Sequence, residues 1–295
     1  LERKFEGVRP EELVELIEFH KIRCPKCKGK LEVTGVLNLM FPLGIGAEKA
    51  SLGYLRPERA QGAYVNFLRQ FEVQRKQLPL GLAIVGKAYR NEISPRQLIT
   101  RMREFTQAEL QIFFDPQRIG EHEEWVKVKK YSLRVKSVSS KDVKETTCEN
   151  IVKELKLPGF YVFYMAKLQK FFLEALGIPK EKFRFRELSE DEKAFYNKLH
   201  WDIELDLESL GGFKEIGGVH YRTDHDLLGH EKISKQSQEV FFDNKKIRPH
   251  VLELSFGVDR ILFAMLDLFY LEEKDRTILK LPASIAPITI SVFPL

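Results

Sequence analysis

Two long strand-like runs, LAIVGKAYRNE and RMREFTQAELQIFF, flank the loop ISPRQLIT, and four arginines and three glutamates crowd the stretch from Ala88 to Leu110. The loop holds Ser94–Pro95, a turn-favouring pair, so the sequence predicts an antiparallel hairpin. Alternate residues of a strand share a face. Arg101, Arg103, Phe105, Gln107 and Glu109 then fall on one side of the second strand, and Arg90 and Glu92 share a side of the first. Such a face cannot be buried in a dry core, because unpaired buried charge is costly. It is either a solvated surface laced with ion pairs or a nucleotide-binding surface. In the second case guanidiniums fork onto phosphates, Phe105 stacks on a base, Glu92 accepts from an exocyclic amine and Glu109 holds an ammonium.

Around this hairpin the pattern is mixed. Helical spacing is present at PEELVELIEFH, between Arg59 and Gln77, and in FYVFYMAKLQKFFLEALG, which stops at Gly177 with Pro179 after it. The aromatics between Arg59 and Gln77 read as core packing. Strands are predicted in LEVTGVLNLMFPLGI, HWDIELDL and GGFKEIGGVHYR, and HVLELSFGVDRILFAMLDLFY switches from strand to helix near Gly257. Antiparallel strands with scattered helices predict an α+β fold rather than a doubly wound parallel sheet. Residues 116–157 are lysine-rich and weakly patterned, and read as an insertion whose basic faces are solvated or contact a polyanion such as tRNA.

A net charge of +5 permits a polyanionic partner without requiring one. No run approaches the roughly 18 apolar residues of a membrane span, so no membrane partner is expected. The three cysteines cannot make an even disulfide framework, which fits a reducing, cytoplasmic setting. Cys24 and Cys27 of CPKC are half of a zinc site or a metal-free knuckle turn. The first residue is not methionine, and Leu295 interrupts an apolar strand pattern, ITISVFPL, so the chain reads as part of something longer.

YRNE, a loop, and RMREF followed by Glu109 resemble motif 2 of class II aminoacyl-tRNA synthetases, and GVDRILFAM resembles their motif 3. More particularly, YLRPERAQGAYVNF, YRNEISPR, REFTQAEL, YRTDHDLLGH and PHVLELSFGVDR look like the glycyl-tRNA synthetases of archaea and eukaryotes. The resemblance runs from about Lys21 to Leu295 and is weakest between Pro116 and Leu157. It implies a class II antiparallel sheet flanked by helices, with ATP bent over it. The implied reaction makes glycyl-adenylate from glycine and ATP and passes the glycyl group to tRNA(Gly), with Mg²⁺ as cofactor.

By the same resemblance Arg90 would hold the α-phosphate and the amino-acid carboxylate, and Glu92 would read the adenine amine. Arg101 would reach the outer phosphates, Phe105 would stack on adenine, and Arg260 would clamp the γ-phosphate. Glu58, Glu109, Glu253 and Ser255 would form the glycine pocket, and Arg222 would stand beside the activated carboxylate; Arg90, Arg222 and Arg260 would thus be the catalytic residues. His220, His225 and His230 read as structural, and no Ser/His/Asp arrangement is evident. The chain departs from the family at Arg59, where threonine is usual, in the loop PRQLITR, which lacks the usual glycine, and at Phe213, where tryptophan is common. Motif 1 has no counterpart before Lys21, so a homodimer would form through a segment missing from this chain.

The expected organisation is a first catalytic part at 1–115, an insertion and helical region contacting tRNA at 116–190, a second catalytic part at 191–283, and the start of an anticodon-binding domain at 284–295. A catalytically silent synthetase-like protein, binding nucleic acid or a polymerase, is the reading from another class. It predicts lost ATP-site residues, whereas all five are present. A synthetase for another small amino acid is disfavoured by the three glutamates.

Overall fold

The computed structural model describes residues 10–32, 38–48, 51–93, 95 and 98–294. Part of the predicted strand LEVTGV, three residues of the motif 2 loop and everything before Pro10 lie outside them. A short helix α1 (Pro10–Phe19) leads into the CPKC turn, and β1 (Pro42–Ile45) pairs with β2 (Ser51–Tyr54) as a small hairpin. Helix α2 (Gln61–Val73) precedes the charged hairpin, β3 (Leu80–Tyr89) and β4 (Glu104–Phe114). Next come β5 (Ser132–Lys136), β6 (Lys144–Thr147), α3 (Cys148–Glu154), α4 (Gly159–Lys170) and β7 (Phe183–Glu187). The chain continues through β8 (Leu199–Leu207), β9 (Gly212–Thr223), α5 (His225–Ser234), the hairpin β10 (Val240–Phe242) and β11 (Lys245–Ile247), β12 (His250–Gly257) and α6 (Val258–Phe269). It closes with the hairpin β13 (Tyr270–Glu272) and β14 (Thr277–Leu279).

Eight strands form one sheet in the order β3-β4-β12-β9-β8-β7-β5-β6, antiparallel throughout except between β5 and β7. The fold is α+β, as the sequence predicts. Residues 116–190 contribute β5, β6 and β7 to this sheet, and α4 provides the crossover that a parallel pair needs.

Period-two alternation divides the sheet into two unlike faces. Trp201, Ile203, Leu205 and Leu207 of β8, Leu252 and Leu254 of β12 and Ile112 and Phe114 of β4 point one way. They bury against α4 and the inner side of α6, including Ala264 and Met265. The opposite face carries Glu109 and Gln111, Glu253 and Ser255, His220 and Arg222, and Asp202 and Glu204. At one end a second core closes over it, where Tyr64, Phe67 and Phe71 of α2 pack on Phe113 and Val251. The core reading of the α2 aromatics therefore holds, and Phe67 stacks on Phe113 at 4.4 Å between centroids.

Three local expectations are corrected. The strands of the charged hairpin stop at Tyr89 and start at Glu104, so Arg90, Glu92, Arg101 and Arg103 lie past the strand ends, with one further cross-hairpin bond from the Arg90 N–H to the Arg103 carbonyl at 2.9 Å. Arg103 turns back to donate to the Glu92 carbonyl at 3.0 Å and does not share the face of Phe105 and Glu109. The apolar residues at 288–293 form no strand among the described residues; Ile290 and Val292 are exposed, because an extended segment without a neighbouring edge has nothing to pair with.

Candidate active site

The polar face is the floor of a cavity of about 870 Å³. Glu58, Arg90, Glu92, Arg101, Phe105, Glu109, Arg222, Glu253, Ser255 and Arg260 all line it, although they span 203 positions of sequence from first to last. The sheet register brings the pocket residues together. Ser255 stands opposite Glu109, and Glu253 opposite Gln111, on neighbouring antiparallel strands, where opposed residues point to the same side. Ser255 is also opposite Gly218, and Glu253 opposite His220, on the other neighbour.

Glu109 and Glu253 are joined through a single amide. Gln111 Nε2 donates to Glu253 Oε2 at 2.7 Å and lies 3.4 Å from Glu109 Oε2. Tyr64 donates its hydroxyl proton to Gln111 Oε1 at 3.0 Å, which fixes the amide's direction. Glu253 is also held by Arg222 Nη1 at 3.0 Å, while Asp226 takes Arg222 Nε at 2.7 Å and Nη2 at 2.9 Å. Burial raises the Glu253 carboxyl above its ordinary range and the Arg222 guanidinium opposes the rise. Glu109 is pushed up to about 8 by burial, with Glu253 and Glu58 adding to the shift, so this carboxyl is neutral near pH 7. The Arg59 backbone N–H bonds the Glu109 carboxyl, and the Arg59 side chain lies flat over Gly86 of β3. The exchange of threonine for arginine is thus accommodated by a glycine beneath it.

The arginine end has its own internal pairing. Arg90 Nε donates to the Pro57 carbonyl at 3.3 Å and its Cζ stands 5.3 Å from the Phe105 centroid. Arg101 pairs with Glu92 at 2.8 Å. Arg260 lies in the first turn of α6 and contacts the Thr100 carbonyl at 3.0 Å and Glu215 Oε1 at 3.1 Å. Its stem folds back over Gly257, where an added Cβ would meet Arg260 Cδ at 3.0 Å. The glycine before the helix is what lets this cation reach the cavity.

The family model for the tRNA synthetase class II core domain (G, H, P, S and T) matches residues 47–269. The chain belongs to this family. The glycine–tRNA ligase of Thermococcus sibiricus is 34% identical over 373 residues, covering 98% of this chain and 65% of the relative. That of Pyrococcus furiosus is 35% identical over 373 residues, with the same two coverages. That of Methanothermobacter thermautotrophicus is 32% identical over 372 residues, covering 99% of this chain and 66% of the relative. The chain thus spans about 65% of the length of the curated relatives it matches.

Within this class II core, sequence reasoning did not single out Gln111 and did not foresee the contacts of His220. Gln111 is fully buried between the two glutamates, and a neutral amide in an apolar strand gives no signal of its own. His220 lines the cavity and touches Ser255, a contact that only the pairing of β9 with β12 creates. His230 bonds Gln61 at 2.8 Å and His225 stacks on Tyr196, both outside the cavity lining. Phe213, in place of tryptophan, receives the Arg184 guanidinium at 3.8 Å from its centroid.

The CPKC segment is a tight turn in which Cys24 donates its N–H to the Gly29 carbonyl at 3.0 Å. Hydrogen bonds from the Cys27 and Lys26 backbone lower the Cys24 thiol pKa. The turn offers two thiols, and among the described residues no group of three or more His, Cys, Asp or Glu side chains is placed to hold a metal ion. The residues described therefore do not complete a four-ligand zinc site. Among the described residues no helix is long and apolar enough to cross a membrane.

Proposed function

We propose that this cavity activates glycine with ATP and passes the glycyl group to tRNA(Gly). The observation that carries the reading is the meeting of three carboxylates, Glu58, Glu109 and Glu253, with Ser255 in one cavity with Arg90, Arg101 and Arg260. Acids gathered on a floor suit an ammonium, and arginines beyond them suit phosphates. Glycine offers no side chain to grip, so its amino group is the handle these acids would take.

In this reading Phe105 carries the adenine and Glu92 accepts from its amine. Arg90 draws the glycine carboxylate toward the α-phosphorus, while Arg101 and Arg260 hold the outer phosphates. A carboxylate oxygen attacks the α-phosphorus in line, the bond to the β-phosphate oxygen breaks, and pyrophosphate leaves with the electron pair. A hydroxyl of the terminal ribose of tRNA then attacks the glycyl carbonyl, and AMP leaves. No protein nucleophile takes part; orientation and fixed positive charge stabilise the charge that develops. Arg222 keeps two N–H bonds beyond those given to Asp226 and Glu253, enough to stand beside the activated carboxylate.

Mg²⁺ fits this cavity in the way it fits nucleotide sites generally, through one or two carboxylates and the phosphates themselves. Glu215, beside Arg260, would hold it, and bound there it would neutralise charge on the leaving pyrophosphate. The homodimer and the cytoplasmic setting belong to the same reading, and the free thiols of Cys24, Cys27 and Cys148 suit the reducing compartment in it.

The test is ATP–pyrophosphate exchange by the full-length protein with glycine, alanine and serine, and with Glu109→Ala as control. Exchange with glycine alone, lost in Glu109→Ala while ATP still binds, is expected. A folded protein that binds tRNA and shows no exchange would instead be the silent, nucleic-acid-binding relative.

A further inference from the structure

One group on the cavity floor serves neither phosphate nor ammonium. The His220 ring is tethered at both nitrogens, Nε2 lying 3.0 Å from Ser255 Oγ and Nδ1 3.3 Å from Asn197 Nδ2. Behind it the His200 ring stands 4.0 Å away between centroids, and His200 Nε2 is itself 3.1 Å from Asp202 Oδ1. Gly218 opens the space for both rings: a Cβ there would come within 2.5 Å of His220 Nε2 and 3.2 Å of His200 Nε2. Burial, His200 and Arg222 push the His220 pKa well below its ordinary value, so the ring is neutral. Its Nε2 is 3.8 Å from Glu253 Oε1. A neutral, braced ring beside a carboxylate is a wall rather than a counter-ion.

We propose that His220 is the steric stop that restricts the amino-acid pocket to glycine. The inference rests on the reading of Glu58, Glu109 and Glu253 as the amino-acid site. An ammonium placed between Glu109 and Glu253 sits over β4 and β12, and the next strand across the floor is β9. A substituent on the substrate Cα that points along the sheet toward β9 meets the imidazole. Favourable packing in an apolar pocket separates substrates by only about 10–200-fold per methylene, so firm rejection of alanine needs a wall that cannot give way. Two hydrogen bonds and a second ring behind it give His220 that stiffness, as close-packed interiors resist displacement.

Exchange assays on the full-length protein compare wild type, His220→Ala and Gly218→Ala, with glycine, alanine and serine. His220→Ala is expected to raise kcat/KM for alanine relative to glycine by at least about tenfold. A merely structural role would lower all amino acids by one factor and leave that ratio unchanged. Gly218→Ala drives the ring further into the pocket and is expected to raise the glycine KM by about fivefold or more while the ATP KM stays put. Wild type without glycine exchange removes the amino-acid reading itself. Wild type that uses glycine, with a His220→Ala variant that uses glycine and still rejects alanine, overturns the steric assignment alone. Should His220→Ala lose all exchange, Gly218→Ala decides, and an unchanged glycine KM there overturns the assignment.

Discussion

Arg101 and Glu92 hold one another: Nη2 and Nε of the arginine lie 2.8 Å and 3.0 Å from the same carboxylate oxygen. Both residues are assigned to ATP, one to its phosphates and the other to its base, so nucleotide binding has to draw them apart. The Arg101 side chain is 56% exposed, which limits such a pair to about 1 kcal/mol or less, and a phosphate can win the guanidinium. Glu92→Gln keeps an acceptor for the adenine amine and frees Arg101; ATP affinity by calorimetry should stay within about threefold of wild type. Glu92→Ala loses the acceptor and should weaken binding about tenfold, a step of ~1.4 kcal/mol. Because a glutamine can also donate, Glu92→Gln should accept inosine triphosphate better than wild type does. Equal losses in the two variants would remove Glu92 from the base contact.

In the proposed reaction Glu109 gives the glycine step a pH dependence. Its carboxyl titrates at about 8 in this cavity, first because it is buried and then because Glu253 and Glu58 are near. An ammonium requires the ionised form, so below about pH 8 each glycine bound expels a proton. The glycine KM should fall about tenfold per pH unit from pH 6 to near 8 and then level off. Stability without glycine runs the other way. A carboxyl whose ordinary value is 4.5 and whose folded value is near 8 stabilises the fold fully below pH 4.5 and loses that contribution as pH rises through 8. Urea midpoints should therefore fall between pH 5 and 8, and Glu109→Gln should flatten both profiles. A glycine KM independent of pH in wild type would show that Glu109 does not meet the ammonium.

The sheet was legible because alternation is a local signal: HWDIELDL and HVLELSFG each announce one apolar and one polar face. The ten residues that the family resemblance named line one cavity, and the hairpin of β3 and β4 brought Arg90 and Phe105 together as expected. Strand ends were not legible, since nothing in RMREF marks Glu104 as the first paired residue. Neither was the place of β5, whose SLRVK alternation is short and whose parallel partner β7 lies about fifty residues on, a pairing no local pattern specifies. The surroundings of His220 were hidden for a related reason. Its neighbours Ser255 and His200 come from two other strands, and only their registers reveal the cluster.

Tyr161 ties α4 to the underside of the site. Its hydroxyl donates to the Val219 carbonyl at 2.7 Å, one residue from both Gly218 and His220. The group is almost fully buried, so Tyr161→Phe leaves a carbonyl without its side-chain partner and should cost about 1–3 kcal/mol in urea unfolding. The backbone of β9 remains paired on both sides, so the glycine KM should change less than about twofold. A tenfold rise in that KM with unaltered stability would mean that α4 positions the pocket instead of bracing the sheet.

Asp259 links the two halves of the proposed nucleotide site. Its carboxylate accepts the Thr106 N–H at 2.5 Å, joining the start of β4, beside Phe105, to the first turn of α6, beside Arg260. An acid in that turn is favoured by the helix dipole as well. Asp259→Ala leaves the Thr106 N–H unpaired and loosens the spacing between the ring that carries the adenine and the arginine that holds the outer phosphates in the proposed complex. Stability should fall by about 1–3 kcal/mol, and the ATP KM should rise about tenfold, a loss of ~1.4 kcal/mol. At saturating ATP the glycine KM should move far less, because Glu109 and Glu253 are held by Gln111 and Arg222 and not by α6. Asp259→Asn keeps an acceptor oxygen and should fall between wild type and the alanine variant. If both Michaelis constants rose together in Asp259→Ala, the link would be one of general stability, and the separation of the nucleotide and glycine halves of the cavity would be wrong.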